Sequence, residues 1–443
     1  MATETARESN DDTIAVCMLA LNVYPAIDPS SGKRIGGLEG TAWNLARGLA
    51  SEPGFDVSMI VRNDRSIPST VDGVRLLAII DAFRDMRHRV SKRVTRQNRF
   101  PWLKATGLSW RLCYELVCLT VTRWFRDRRG TAERIVEQMN RSQAEVLICF
   151  GNGQDPATMI RYGEATDKPT IAILQSNSDV DQRYINETDF VNEYGESAED
   201  CRLVLEHSNL LIAQTQWQRD EISRIFGRSS ELLQTPIDAD LWLSGNRPFE
   251  ERADVLWIGR YDQFHKRPGL AVEIARQCPK LNFVMVINDG DPTVKEELNR
   301  HPPPNVRILD YVPKNEMPSR MQIAKAFLST GSADFEGLPN VFLEAAASGT
   351  PIVTLHDFGD FVHNSCAGIA ADGDIERATA ELQRVAMKRD IWQSLSSNGR
   401  AWVQEHHKID PVIRRLTHLI HDAIGRSRQI PRCRSESLDT EKF

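Results

Sequence analysis

The chain has 443 residues, 26% charged and 41% hydrophobic, which is the length and balance of two ordinary globular domains. Its net charge of −6 argues against a nucleic-acid binder as a whole, and no uninterrupted apolar run reaches the roughly eighteen residues of a membrane-spanning helix. Eight cysteines are scattered without a C-x-x-C pair. The two nearest each other, Cys113 and Cys118, do not match a zinc spacing, so the set reads as reduced thiols of a cytosolic protein.

The polar stretch Met1–Thr13 carries no apolar signal segment. Ile14–Ala20 then reads as a buried first strand, followed by a polar loop over 22–34 and by Ile35-Gly36-Gly37-Leu38-Glu39-Gly40. Apolar residues Ala42, Leu45, Ala46 and Leu49 predict a helix over Thr41–Ala50, and Val57–Val61 a second strand. Two glycines ahead of a helix let backbone approach a ligand closely and aim N–H groups at an anion, although an ordinary turn has the same sequence. Residues 84–129 hold 13 Lys/Arg against 3 acids, a local balance of +10. Interleaved with them run Leu108–Leu119 and Trp124-Phe125. Cationic and aromatic-apolar residues together describe an interfacial helix on an anionic membrane. The competing readings are core leucines (Leu112, Leu116, Leu119) beneath solvated arginines, or a polyanionic partner. Val146–Phe150, Thr170–Leu174 and Leu210–Ala213 complete the strands of a first α/β unit.

The polar stretch over 239–253 reads as a linker to a second unit with strands at Val255–Arg260, Phe283–Ile287, Val306–Leu309, Ala326–Leu328 and Pro351–Thr354. Arg260 and Lys266 stand six residues apart after the first of these. Arg260 offers a forked, permanently charged donor and Lys266 a compact charge just before the helix Pro268–Gln277. Further on, Ser332 to Pro351 carries Glu336 in a Gly/Pro loop and Glu344 inside an Ala-rich helix. This strand–loop–helix–strand order puts the loop at a carboxyl end of a parallel sheet, where such sheets bind ligands. Asn340 is the expected N-cap and Gly349 the expected C-cap of a helix of about three turns. The helix N–H groups then face the loop, and the two carboxylates engage separate parts of one extended ligand.

Gly259-Arg260-x5-Lys266, with Glu336-Gly337-Leu338-Pro339-Asn340-Val341 and Glu344-Ala345-Ala346-Ala347-Ser348-Gly349, resembles two motifs of one family. They are the Gly-Arg-x5-Lys and E-x7-E motifs of the retaining glycosyltransferases called GT4. The resemblance is specific over about 255–353; before that it rests on Gly36-Gly37 and the strand pattern. It implies a GT-B architecture, two Rossmann-like domains facing across a cleft. These are an acceptor-binding domain over 1–240 and a nucleotide-sugar domain over 250–405, with helix 408–424 returning to the first domain and a disordered tail over 425–443. It also implies a nucleotide-diphosphate sugar as donor substrate, no cofactor and no metal. Arg260, Lys266 and Glu336 become the catalytic set. Gly36, Gly37, Leu338, Pro339, Asn340, Val341 and Glu344 join them in holding the donor, Glu344 at the ribose and Glu336 at the sugar.

The acceptor is expected to be a hydroxyl group, a lipid-linked glycan or polysaccharide precursor among the candidates, at the cytoplasmic face of the membrane. Two departures stand out. The loops Phe150–Asp155 and Gln175–Asp179 lack the histidine that the family often has, leaving Asn152 or Asn177 as neutral replacements. His265 reads as a solvated loop residue. A GT-B epimerase or phosphorylase, or a non-catalytic sugar-nucleotide binder, are the alternative readings.

Overall fold

Apolar runs bounded by polar turns become the strands of two parallel sheets, each covered by helices on both faces. The computed structural model describes residues 13–28, 36–81, 83–96, 103–105, 109–122, 129–288 and 290–429. In the first half the strands are β1 (Ile14–Leu19), β2 (Phe55–Asn63), β3 (Thr70–Val71), β4 (Val74–Ile80), β5 (Val94–Arg96), β6 (Leu103–Ala105), β7 (Val146–Phe150), β8 (Thr170–Ile173), β9 (Leu210–Ala213) and β10 (Glu231–Leu232). All but β5 and β6 form one sheet in the order β10-β9-β8-β7-β1-β2-β4-β3, antiparallel only at β3–β4. The second half supplies β11 (Val255–Arg260), β12 (Phe283–Asn288), β13 (Val306–Leu309), β14 (Ala326–Ser329), β15 (Ile352–Thr354) and β16 (Gly368–Ala370). They pair in the order β13-β12-β11-β14-β15-β16, a doubly wound sheet whose direction of winding reverses between β11 and β14. The loops after β11 and β14 therefore open a crevice between them; Lys266 lies in the first loop, just past Arg260 at the end of β11, and Glu336 in the second, ahead of the helix that carries Glu344.

The last helix, Ile409–Gln429, leaves the second lobe and packs on the first. Its Val412, Ile413, Leu416, Leu419, Ile420 and Ala423 are 3% exposed or less and complete one face of the first sheet's core. Burying each of the larger side chains contributes about 1.5–3 kcal/mol. The helix sits close because Gly48 faces it: a Cβ there would lie 2.6 Å from Ile413 and 2.8 Å from Ile409. Gly48→Leu should overpack this contact, costing about 1–3 kcal/mol and lowering the midpoint of thermal unfolding.

Several expectations need correction. The helix expected from Thr41 begins at Gly37, with Gly36 at its N-cap, so Gly37–Gly40 is its first turn and not a loop. The segment 22–34 holds a short helix, Tyr24–Ile27, and its residues 29–34 lie outside the described residues. The linker contains the helix Ala239–Leu243, whose Trp242 is buried in the second lobe's core. Val74–Ile80 was not expected as a strand, yet β4 lies beside β2. The returning helix runs to Gln429, so residues 425–429 of the expected tail are helical; residues 430–443 lie outside the described residues.

In the basic insert, the helices Arg84–Arg93 and Trp110–Val121 pack together, joined through the β5–β6 hairpin. Ser109 caps the second helix, accepting from Leu112 N at 3.3 Å. Leu112 is buried, as is Glu115, which takes Arg89 Nε at 2.7 Å and faces Arg111 Nε at 3.5 Å. Leu116 and Leu119 are only partly covered. The opposite face leaves Trp110, Tyr114, Val117 and Val121 between 60% and 82% exposed. Residues 97–102, 106–108 and 123–128, Trp124-Phe125 among them, lie outside the described residues. No described helix is long and apolar enough to cross a membrane.

Candidate active site

The loop after β11 is folded by one buried carboxylate. Asp262, 6% exposed, accepts Arg260 Nε at 2.6 Å on one oxygen and the backbone N–H groups of His265 (2.9 Å) and Lys266 (2.6 Å) on the other. Arg267, in the left-handed region at φ 51°, turns its guanidinium onto the carbonyls of Thr330 (2.7 Å) and Gly331. Ser332 N donates to His265 O at 2.9 Å. The β11 and β14 loops are thus laced together across the crevice.

Glu336 is 7% exposed and is the point at which the expected catalytic residues meet. Lys266 Nζ forms an ion pair with Glu336 Oε1, and His265 Nε2 stands 2.9 Å from the same oxygen. Burial alone would raise this carboxyl; the charge of Lys266 and the neighbouring His265 outweigh it and pull the group down to about 2. Arg260 joins through His265, its Nη2 lying 3.2 Å from Nδ1. Lys266 is thus held by Glu336 itself, an arrangement the spacing did not foretell.

Beyond Glu336, Leu338 is buried and Pro339 occupies the N-cap of the helix Asn340–Ala347. Asn340 is therefore the first helical residue and not the cap. Its side chain crosses to the other lobe, Nδ2 donating to Gly37 O at 2.9 Å and to Thr41 Oγ1 at 3.1 Å. Gly349, at φ +67°, follows the C-cap Ser348 and ends a helix shorter than expected. Glu344 sits one turn in, its carboxyl pushed up to about 7 by burial, which the charge of Lys314 offsets only in part. Glu39 reaches back to the backbone N–H of Gly36, so part of the helix terminus expected to face an anion is already satisfied.

The two lobes touch at the loop after β14. Ser176 forms an antiparallel bridge with Glu336, and its hydroxyl donates to Phe335 O. Asn177 Nδ2 donates to Ala333 O at 3.1 Å. Asn152 stays within the first lobe: it donates to Asp179 O and accepts from Gly153 N, both at 2.9 Å. Neither asparagine has the histidine's chemistry, and Asn152 is not free to take it on. His265, expected to be solvated, is instead a member of the cluster, its side chain 15% exposed. Its place inside the x5 of the Arg260–Lys266 spacing was a signal that could have found it. Tyr194, which meets it from the first lobe with Oη 3.1 Å from Nδ1, lies in no recognisable pattern. Among the described residues no group of three or more His, Cys, Asp or Glu is placed to hold a metal ion.

The fold has relatives among known proteins. Residues 240–402, which contain the second sheet, match the family described as Glycosyl transferases group 1. The chain is similar to a GDP-mannose-dependent α-(1-6)-phosphatidylinositol monomannoside mannosyltransferase of Mycobacterium tuberculosis, 26% identical over 124 residues. That stretch is 26% of this chain and spans only 32% of the relative's length. Among solved structures, S. aureus TarM in complex with fondaparinux, α-GlcNAc-glycerol and UDP superposes with a TM-score of 0.60 at 10% identity, covering 91% of this chain and 99% of that one. AviGT4, a glycosyltransferase involved in avilamycin A biosynthesis, superposes with a TM-score of 0.54 at 14% identity, covering 93% and 98%. The chain therefore has the GT-B fold, two Rossmann-like lobes with a helix crossing back, and its residues 240–402 are similar to the glycosyltransferase group 1 family.

Proposed function

We propose that the chain is a retaining glycosyltransferase of the GT4 type, moving a sugar from a nucleotide-diphosphate donor to a hydroxyl acceptor. The observation that carries this reading is the meeting of Lys266, His265 and Arg260 around Glu336 at the switch point of the second sheet. A donor diphosphate would draw Lys266 and Arg260 onto its oxygens, beside the N–H groups of the helix that starts at Asn340. Glu344 would hold the ribose hydroxyls and Glu336 the sugar, with Gly36 and Gly37 near the diphosphate and the acceptor. The bond from the anomeric carbon to the phosphate oxygen breaks as the acceptor oxygen attacks from the same face. The acceptor's proton passes to the departing phosphate oxygen, and the two cations stabilise the charge left on the nucleoside diphosphate. Glu336 is poorly suited to be a nucleophile, because its carboxylate is already engaged by Lys266. The same electrostatics let the reaction run on the chain's own cations, with no resident metal.

The mycobacterial relative uses GDP-mannose on a phosphatidylinositol monomannoside, which makes GDP-mannose the first donor to try and a lipid-linked hydroxyl the first acceptor. Thermal unfolding should be followed with UDP-, GDP- and ADP-sugars. A stabilisation selective for one base and lost in Lys266→Ala supports the reading; no shift with any of them at millimolar concentration overturns it. Binding without turnover would make the protein a sugar-nucleotide binder, and release of a rearranged sugar without acceptor would make it an epimerase.

A specific observation favours contact with an anionic membrane. Trp110, Tyr114, Val117 and Val121 share one exposed helix face inside a segment of balance +10. The protein should co-float with vesicles containing phosphatidylglycerol and not with pure phosphatidylcholine. Trp110→Ser with Tyr114→Ser should reduce the bound fraction at least tenfold; equal flotation of variant and wild type would exclude this face.

A further inference from the structure

His265 has three neighbours whose chemistry decides where its proton sits. Arg260 Nη2 lies 3.2 Å from Nδ1, and a guanidinium has only donors. Nδ1 is therefore the acceptor, and in the neutral ring the proton is on Nε2. Nε2 lies 2.9 Å from Glu336 Oε1 but has no aligned hydrogen-bond partner, because Lys266 holds that oxygen. Tyr194 Oη, 3.1 Å from Nδ1, comes from the opposite lobe.

The first lobe holds Tyr194 out on a built turn. Asn192 Oδ1 accepts the backbone N–H groups of Tyr194 and Glu196, each at 3.0 Å, and Gly195 takes φ +88°. Asn192 Nδ2 in turn donates to the buried Tyr184 at 3.0 Å. Across the cleft the Tyr194 ring meets Phe264 and His265 edge-on, with centroids 6.2 and 6.4 Å away.

We propose that His265 is a positioning residue, kept as the Nε2–H tautomer by Arg260 and by Tyr194 of the opposite lobe, and that it holds Glu336 in place when the donor draws Lys266 and Arg260 away. This rests on the transferase reading above. A diphosphate that takes both cations would strip Glu336 of its ion pair and Nδ1 of one donor. Tyr194 then remains to donate to Nδ1, and Nε2–H becomes free to align on Glu336. Because Tyr194 belongs to the other lobe, the carboxylate that faces the sugar is fully held only when the cleft is closed. The missing histidine of the first lobe is thus answered by one from the second, with the first lobe contributing a phenol.

Two measurements test it. The first does not depend on turnover. In protein labelled with 15N-histidine, the two-bond ring-nitrogen correlations of His265, assigned by their disappearance in His265→Gln, should have the Nε2–H pattern; an Nδ1–H pattern overturns the proposal. The second uses GDP-mannose and UDP-glucose as probes, following release of nucleoside diphosphate. His265→Ala and His265→Asn should lower kcat tenfold to a hundredfold, the cost of losing a hydrogen bond to a charged group. Their affinities for GDP and UDP should change less than threefold. His265→Gln, whose amide N–H reaches the Nε2 position, should keep kcat within about threefold of wild type. Equal losses in all three variants, or loss tracking the unfolding midpoint, mean a structural role and overturn it. If wild type consumes neither probe and binds neither nucleotide, the transferase reading fails, and the tautomer measurement alone decides the assignment of His265.

Discussion

Lys266→Ala should lower kcat by two to three orders of magnitude, the loss expected when a fixed donor to a leaving oxyanion is removed. The same change leaves a buried carboxylate without its main partner, which costs about 3 kcal/mol. The pH dependence has a definite sign. In wild type Glu336 is held at about 2, below its unfolded range, so the pair stabilises the fold above about pH 4.5 and that contribution fades as pH falls toward 2. In the variant burial is less opposed, so the deficit in stability is largest near neutrality and shrinks on acidification. To separate folding from catalysis, Lys266→Met can be combined with Glu336→Gln. Neutralising both partners should restore much of the lost stability, because no unpaired charge stays buried. Turnover should not return. A double variant that recovered turnover would remove both residues from the reaction.

Glu344→Gln should act in opposite directions on stability and on donor binding. Its carboxyl, raised to about 7 by burial, favours the fold while protonated; that contribution is complete below about pH 4.5 and is lost as pH rises through 7. At pH 8 the amide should therefore be more stable than wild type, by up to about 3 kcal/mol, with the difference vanishing near pH 4. Nucleotide affinity should fall tenfold to a hundredfold at pH 8, since a charged acceptor for ribose hydroxyls is gone. In wild type, affinity should weaken below pH 7 as the proton competes. Calorimetric binding at pH 6 and pH 8 checks both statements. Equal affinity of Glu344→Gln and wild type at pH 8 would free the ribose from this residue.

Much of the second lobe was legible in the sequence because its signals are local. Strands such as β11 and β13 are short apolar runs between turn residues, and their bounds agree with the expectation to the residue. The clamp and the glutamate loop were legible for the same reason: each lies within one strand–loop–helix step. What could not be read arises from contacts far apart in the chain. Asn340 looked like an N-cap because a polar residue before an apolar run usually is one, but Gly37 and Thr41, some three hundred positions earlier, claim its side chain. The Lys266–Glu336 pair and the approach of Tyr194 to His265 also depend on how two loops, or two lobes, meet. β4 was missed for another reason: Val74-Arg75-Leu76-Leu77-Ala78-Ile79-Ile80 alternates only weakly, and the polar turn before it masked its start.

The helix that returns from the far end of the chain has a consequence for how the protein is made. One face of the first sheet is finished by side chains from Val412 to Ala423. During synthesis the N-terminal half emerges first, at roughly 5–20 residues per second, and domains tend to fold in that order. Here the first lobe must wait for the second to be translated before its apolar face is closed. Over that interval the helix Gly37–Ala50 lacks the cover that the finished molecule gives it, Ile409 and Ile413 against Gly48 included. The lobe that would receive the acceptor is synthesised before the other and sealed after it, and the ribosome's passage through the second lobe sets the length of that exposure.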